Sequence, residues 1–111
     1  MKIALPTNNG RITQHFGHCE FFEIIELNDK KEIVKSETKT PPEHIPGILP
    51  KWLSELGVEL VIAGGMGSHA QRLFTEMDIK LVTGVGNELP ETAVKNYLNG
   101  TLTTGANMCD H

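Results

Sequence analysis

Cysteine, aromatic residues and long apolar runs are scarce in this chain. Its 111 residues include two cysteines, one tryptophan, one tyrosine and four phenylalanines. Two cysteines do not make a disulfide framework, and a chain of this length buries a modest core without one. No stretch approaches the roughly 18 apolar residues of a membrane-spanning helix, so we expect no membrane association. The net charge is −4 and no run of basic residues occurs, which argues against nucleic acid as a partner.

Length and hydrophobic content predict a single domain over residues 1–111, since 39% hydrophobic residues are compatible with one core. The opening run at residues 1–6 is too short, and too soon interrupted by proline, to be a signal peptide. We interpret it as a first strand and expect the protein in the cytoplasm. Residues 101–111 show no helical period, and we expect them to form a flexible C-terminal tail.

The spacing of apolar residues predicts the element order β-β-β-α-β-α-β-α. The predicted strands are residues 1–5, 21–27, 32–38, 58–63 and 79–83, and residues 7–10 predict a turn. The predicted helices are residues 48–56, a segment that follows Ser68 as its N-cap, and a segment from about Pro90 to Gly100. This order predicts an α/β domain with a mixed five-stranded sheet and helices on its faces. It also matches the ribonuclease-H-like topology.

Glycines follow the fourth predicted strand, in the segment Gly64-Gly65-Met66-Gly67 ahead of Ser68. In open α/β sheets, ligands bind beyond the carboxyl ends of strands, where free N–H groups and the positive end of a helix dipole favour an anion. Glycine lets a bulky ligand approach the backbone, so Gly64, Gly65, Gly67 and Ser68 are candidate cofactor-binding residues. The spacing is neither the dinucleotide fingerprint nor a P-loop. A tight strand-to-helix turn accounts for these glycines equally well.

Both cysteines lie close to histidines. His15 and Cys19 belong to the segment HFGHC near the start, and Cys109 and His111 belong to the segment CDH at the other end. Thiolates and imidazoles form a donor set suited to iron, iron–sulfur clusters, copper(I) or zinc. If the fold brings the two segments together, they predict a metal or metallocluster site. Otherwise these are ordinary surface and core residues.

Together these segments resemble the dinitrogenase iron–molybdenum cofactor biosynthesis family. The matching segments are MKIALP at 1–6, HFG at 15–17 followed by Phe21 and Phe22, VIAGGMG at 61–67 with Ala70, GVGN at 84–87 and CDH at 109–111. The resemblance extends over the whole chain. It implies a ribonuclease-H-like fold and the binding or transfer of an iron–sulfur or iron–molybdenum–sulfur cluster, without catalysis. By the same resemblance His15 is a cluster ligand, Cys19, Cys109 and His111 are present in a subset of members, and His44 lies in a loop where related sequences carry a histidine.

The leading hypothesis is a carrier or scaffold of such a metallocluster, with cluster donor and acceptor proteins as partners and Cys19, His15, His44, Cys109 and His111 as ligands. Three alternatives stay open. A small-molecule or nucleotide-binding regulatory module would use the glycine loops and neither cysteine. Simple zinc binding would use Cys19, Cys109 and histidines. A nuclease, suggested by the topology, requires several carboxylates around two magnesium ions, and the first predicted strand carries no acid.

Overall fold

The computed structural model describes residues 1–14, 16, 19–42 and 47–102 of the chain. Within them the chain forms one α/β domain with a mixed six-stranded sheet and three helices. The strands are β1 (Lys2–Asn8), β2 (Arg11–Ile12), β3 (Phe21–Leu27), β4 (Ile33–Lys39), β5 (Val58–Ile62) and β6 (Lys80–Val82), and the helices are α1 (Ile48–Glu55), α2 (Ser68–Glu76) and α3 (Pro90–Asn99). The radius of gyration is 12.6 Å, close to the roughly 13 Å expected of a compact domain of this length.

The strands of the sheet follow the order β4-β3-β1-β5-β6, and β2 pairs with β1. β1 is antiparallel to β3 and β3 is antiparallel to β4, whereas β5 runs parallel to β1 and β6 runs parallel to β5. Strands β1, β4, β5 and β6 therefore end at the same edge of the sheet, which we call the carboxyl edge. The predicted α/β class and mixed sheet are confirmed.

The prediction of five strands is wrong, because β2 has only two residues, too few to show an alternating pattern. Asn9 and Gly10 adopt φ values of 54° and 78°, which form the tight turn that returns the chain onto β1. β1 is also longer than predicted and continues past Pro6. The carbonyl of Pro6 accepts a hydrogen bond from the N–H of Thr13, on the side where pairing with β5 ends at Ala4. Since no strand requires an N–H from Pro6 there, proline does not end β1.

Two apolar layers cover the faces of the sheet. The first layer lies under α1 and α2 and includes the buried residues Phe16, Phe22, Met66 and Phe74. The second layer lies under α3 and includes Ile3, Leu5, Ile62 and Val94. The strand β5 contributes to both layers because helices cover both faces of the sheet, which explains its nearly continuous apolar sequence.

The C-terminal end of α1 and both ends of α3 follow the signals in the sequence. α1 is followed by Gly57 with φ 84°, and α3 begins with Pro90 and ends at Gly100 with φ 73°. Glycine adopts this left-handed conformation without the steric cost that a side chain brings, so it stops a helix cleanly. Among the described residues, no helix has both the length and the apolar composition that crossing a membrane requires.

Candidate functional site

Several segments meet at the carboxyl edge. Cys19 and Glu20 lead into β3, whose first residue Phe21 pairs with Thr7 near the end of β1. The glycine loop, residues 63–67, follows β5 at the same edge, and residues 83–87 follow β6. Ligands of α/β sheets bind at this kind of edge. The fold therefore places Cys19 and the glycine loop, which are far apart in the sequence, on the same side of the molecule.

Cys19 is a free thiol, half-buried against the first layer. Burial raises the pKa of this thiol from 9.0 to about 11, and a hydrogen bond to its own backbone offsets part of the increase. The thiol therefore keeps its proton at neutral pH, and a metal that binds there must displace that proton. This setting differs from that of catalytic cysteines, whose surroundings lower the pKa of the thiol.

Gly64 is buried where the glycine loop meets the segment that follows β2. A Cβ at Gly64 would lie 2.5 Å from the carbonyl oxygen of Thr13, 3.0 Å from the Cα of Gln14 and 3.2 Å from the carbonyl oxygen of Val85. All three neighbours are backbone atoms, so none can turn aside as a flexible side chain does. Close backbone packing therefore accounts for glycine at position 64 without a ligand.

Phe16 links the segment that follows β2 to the glycine loop. Its N–H donates to the carbonyl of Gly65 at 3.0 Å. Its buried ring makes edge-to-face contacts with Phe22 and Phe74, at centroid distances of 5.6 Å and 5.5 Å. Since Gln14 packs on the same loop, the residues on both sides of position 15 are held against it.

The start of α2 lies one residue earlier than predicted. Gly67, and not Ser68, is the N-cap, with φ −64° and ψ 151°, and no side chain in the part of the chain that the structure describes caps the helix. The side-chain amide of Gln71 donates to the carbonyl of Met66 at 2.8 Å, which holds the loop so that Ser68 is already the first helical residue. The N–H groups of this uncapped first turn face the carboxyl edge and give it partial positive charge.

Sequence reasoning missed the polar contacts that hold Glu20, the neighbour of Cys19. The N–H of Glu20 donates to Asn8 Oδ1 at 2.6 Å and to the carbonyl of Thr7 at 3.1 Å. In return, Glu20 Oε1 accepts the N–H of Asn9 at 2.9 Å. The turn-forming residues 7–10 were the only signal, and they predict a turn without indicating which distant segment binds it.

Four of the predicted ligands lie outside the described residues, namely His15, His44, Cys109 and His111. Of the predicted tail, residues 103–111 lie outside them as well. Within the ranges that the structure describes, no three histidine, cysteine, aspartate or glutamate side chains come close enough to hold a metal ion. A metal site that includes Cys19 would therefore need ligands from outside these ranges. The carboxylate cluster that a two-metal nuclease requires is not found in this part of the chain either.

Metal-free protein is expected to react with iodoacetamide at Cys19 roughly a hundredfold more slowly at pH 8 than the same chain unfolded in urea. The thiolate is the reactive form, and raising the pKa from 9.0 to about 11 lowers its fraction about a hundredfold. Mass spectrometry of the peptide that contains Cys19 measures both rates, and equal rates would contradict the raised pKa.

The same pKa shift predicts a pH dependence of stability. As the pH increases, the thiol of Cys19 ionises at a lower pH in the unfolded chain than in the folded chain. The free energy of unfolding should therefore fall between about pH 9 and pH 11.

Comparison with known proteins identifies relatives over almost the whole chain. The profile of the family described as "Dinitrogenase iron-molybdenum cofactor" matches residues 1–100. An uncharacterized protein of Methanocaldococcus jannaschii is 29% identical over 106 residues, which cover 92% of this chain and 89% of that protein.

Solved structures share the fold. The crystal structure of the protein PH0822 superposes with a TM-score of 0.84 at 25% identity, over 95% of this chain and 96% of that one. The apo form of the orange protein of Desulfovibrio gigas superposes with a TM-score of 0.73 at 20% identity, over 96% of this chain and 93% of that one. At 20% identity, the second likeness concerns the fold alone.

Proposed function

Since this chain belongs to the dinitrogenase iron–molybdenum cofactor family, we propose that it binds an iron–sulfur or iron–molybdenum–sulfur cluster in the cytoplasm. It carries or scaffolds this cluster between donor and acceptor proteins and does not catalyse a reaction. The cluster is cargo in this proposal. The observation that carries it is the position of the free thiol of Cys19 at the carboxyl edge, the edge at which the uncapped helix α2 begins.

Electrostatics supports an anionic ligand at this edge. Clusters of iron or molybdenum with sulfide and thiolate carry negative charge, and the first turn of α2 offers free N–H groups and the positive end of its dipole. Gly67 is partly exposed and Ser68 is exposed, so a ligand can reach them. Gly64 and Gly65 are buried, and their part in the proposal is to shape the loop.

The protonated state of the Cys19 thiol supports a site that binds the cluster only temporarily. A metal must compete with a proton whose pKa is about 11, so the affinity of the site at neutral pH is lower than that of an ordinary thiol would be. Weaker binding allows release to an acceptor, as a carrier requires.

The remaining ligands in this proposal are His15, His44, Cys109 and His111. Gln14 and Phe16, which flank His15, contact the glycine loop. The segment that contains His44 joins β4 to α1, and both the end of β4 and the start of α1 lie at the carboxyl edge. These placements support His15 and His44 as partners of Cys19.

Chain length sets a stricter condition for Cys109. α3 runs from the carboxyl edge toward the opposite edge, where Tyr97 lines a groove together with Asp78 and Lys80. Leu102 packs on the second layer. The seven residues 103–109 can span at most about 25 Å, and β1 alone is roughly 20 Å long. The length of residues 103–109 therefore limits how far from Leu102 the thiol of Cys109 in the same chain can bind.

The ribonuclease-H-like class belongs to the same proposal. Its support is the antiparallel set β1, β3 and β4, with β5 and β6 added in parallel beyond β1. This arrangement agrees with the element order from which the class was predicted, once β2 is set aside.

Anaerobic incubation of metal-free protein with ferrous iron and sulfide, or with tetrathiomolybdate, is expected to produce visible charge-transfer absorption. Cys19→Ser should bind iron at least roughly tenfold more weakly, because a serine hydroxyl is a poorer ligand for thiophilic metals. Trp52 provides a second signal. It is the single tryptophan, and the centroid of its ring lies 5.5 Å from that of Phe22 in the first layer. An absorbing cluster bound near Cys19 should quench its fluorescence.

The double variant Cys19→Ser/Ser54→Cys is a matched control. It keeps the number of thiols but places one on the exposed surface of α1, so it should bind iron as weakly as Cys19→Ser. Recovery of absorption in this variant would indicate nonspecific thiol chemistry. Wild-type protein that stays colourless and free of metal under all these conditions would overturn the proposal.

A further inference from the structure

We infer that Asn8 and Glu20 are positioning residues that hold Cys19 in place for cluster binding without contacting the cluster. This inference rests on the proposed function, because it concerns the same site. It concerns the hydrogen bonds between the β1–β2 turn and the segment that leads into β3.

Asn8 connects Cys19 to the glycine loop. Its Oδ1 accepts the N–H of Glu20, and its side-chain amide donates to Thr13 Oγ1 at 3.2 Å. The carbonyl of Thr13 in turn lies against Gly64. One side chain thus bridges the segment that carries the thiol and the segment that packs on the glycine loop.

Glu20 closes the same connection from the other side. Its carboxylate accepts the N–H of Asn9, while its own N–H is shared between Asn8 and Thr7. Consecutive Cα atoms are 3.8 Å apart, so fixing the backbone of Glu20 also restricts the position of Cys19. The strand ladder itself begins only at Phe21.

The magnitude of the expected effects separates this role from a purely structural one. Glu20 and Asn9 are exposed and Asn8 is partly exposed, so water can replace their hydrogen bonds and the fold should tolerate their loss. In contrast, removing residues that orient a metal ligand typically weakens metal binding by roughly 10- to 100-fold. The connection should therefore influence metal binding far more than folding.

The test compares Asn8→Ala and Glu20→Ala with the conservative variants Asn8→Asp and Glu20→Gln. Loading with ferrous iron and sulfide is followed by iron content and by the visible absorption spectrum. Both alanine variants should bind iron roughly 10- to 100-fold more weakly and show altered absorption, at an almost unchanged melting temperature. The conservative variants keep an acceptor oxygen at the same place. In Asn8→Asp the lost amide donor is replaced if the Thr13 hydroxyl, which can donate as well as accept, donates to the new carboxylate. Both variants should therefore bind iron within about threefold of wild type.

Asn28→Ala is the matched control. Asn28 Oδ1 accepts the N–H groups of Lys30 and Glu32 at 2.9 Å and 3.0 Å, in the turn between β3 and β4 at the opposite edge of the sheet. This variant removes the same kind of contact far from Cys19 and should leave iron binding unchanged. Equal weakening in Asn28→Ala, or normal binding in both Asn8→Ala and Glu20→Ala, would overturn the inference.

A metal-free measurement keeps this inference distinguishable from the proposed function. The rate at which iodoacetamide modifies Cys19 at pH 8 should be at least about threefold higher in Asn8→Ala and Glu20→Ala, because the sulfur is held less firmly against the first layer. The rate in Asn8→Asp should match wild type. If wild-type protein takes up no iron, the proposed function fails and this rate decides the inference, which an unchanged rate would contradict.

Discussion

Replacing Gly64 with alanine is expected to lower the free energy of unfolding by about 3 kcal/mol, at the upper end of the cost of overpacking. The new methyl group would lie 2.5 Å from the carbonyl oxygen of Thr13 and 3.0 Å from the Cα of Gln14. Since the φ angle of Gly64 lies outside the left-handed region, the cost is steric and not conformational. Urea denaturation should show a midpoint lower by roughly 2 M, for a slope near 1.5 kcal/mol per M.

Gly86→Ala is the control for this prediction. Gly86 lies in the loop that follows β6, where a Cβ would meet no atom within 4 Å, so its stability should change by no more than about 0.5 kcal/mol. Gly64→Ala should also bind iron and sulfide less well, because the displaced backbone of Thr13 and Gln14 carries the chain toward position 15. A Gly64→Ala protein as stable as Gly86→Ala would show that the glycine loop yields easily.

Phe16→Ala is expected to lower the free energy of unfolding by about 3–4 kcal/mol, as for other buried aromatic rings. The ring of Phe16 is 5% exposed and contacts the rings of Phe22 and Phe74. Its removal opens a cavity in the first layer beneath the segment that carries Cys19. Against a typical total stability of about 5–15 kcal/mol, this loss is large, and urea denaturation with tryptophan fluorescence measures it.

Phe21→Ala makes the same substitution five positions away, at a ring that is 42% exposed. The expected loss is below about 1 kcal/mol, because much of this ring is already in contact with water. If both variants lost the same amount, the contribution of Phe16 would come from general hydrophobicity and not from its buried contacts. If Phe16→Ala lost less than 1 kcal/mol, the aromatic contacts would have little influence on the fold.

Most helices and strands could be predicted because their signals are local. The apolar run of β5, the glycines after α1 and α3, and Pro90 at the start of α3 each act through neighbouring residues. β2 could not be predicted, since two residues become a strand only by pairing with β1. The passage of β1 through Pro6 depends likewise on where pairing with β5 stops, which is a property of the sheet.

The candidate site could be predicted only in part. The type of residue made Cys19 a candidate, but the first layer determines its burial and therefore the direction in which its pKa shifts. The pattern of glycines predicted a turn or an anion site, and only the approach of Thr13 gives Gly64 a structural role. Asn8 and Glu20 gave no signal of their own, because a hydrogen bond between the end of β1 and the segment before β3 leaves no periodic pattern.

The sequence by itself determined the chemistry that this protein has available, namely two thiols near imidazoles, a glycine loop before a helix, and the segments that resemble its family. It also determined the order of most elements, because apolar periodicity and helix-end residues act over a few positions. Only the tertiary structure decided that Cys19 and the glycine loop share an edge of the sheet. That decision depends on strand order, and strand order arises from pairing between residues far apart in the chain.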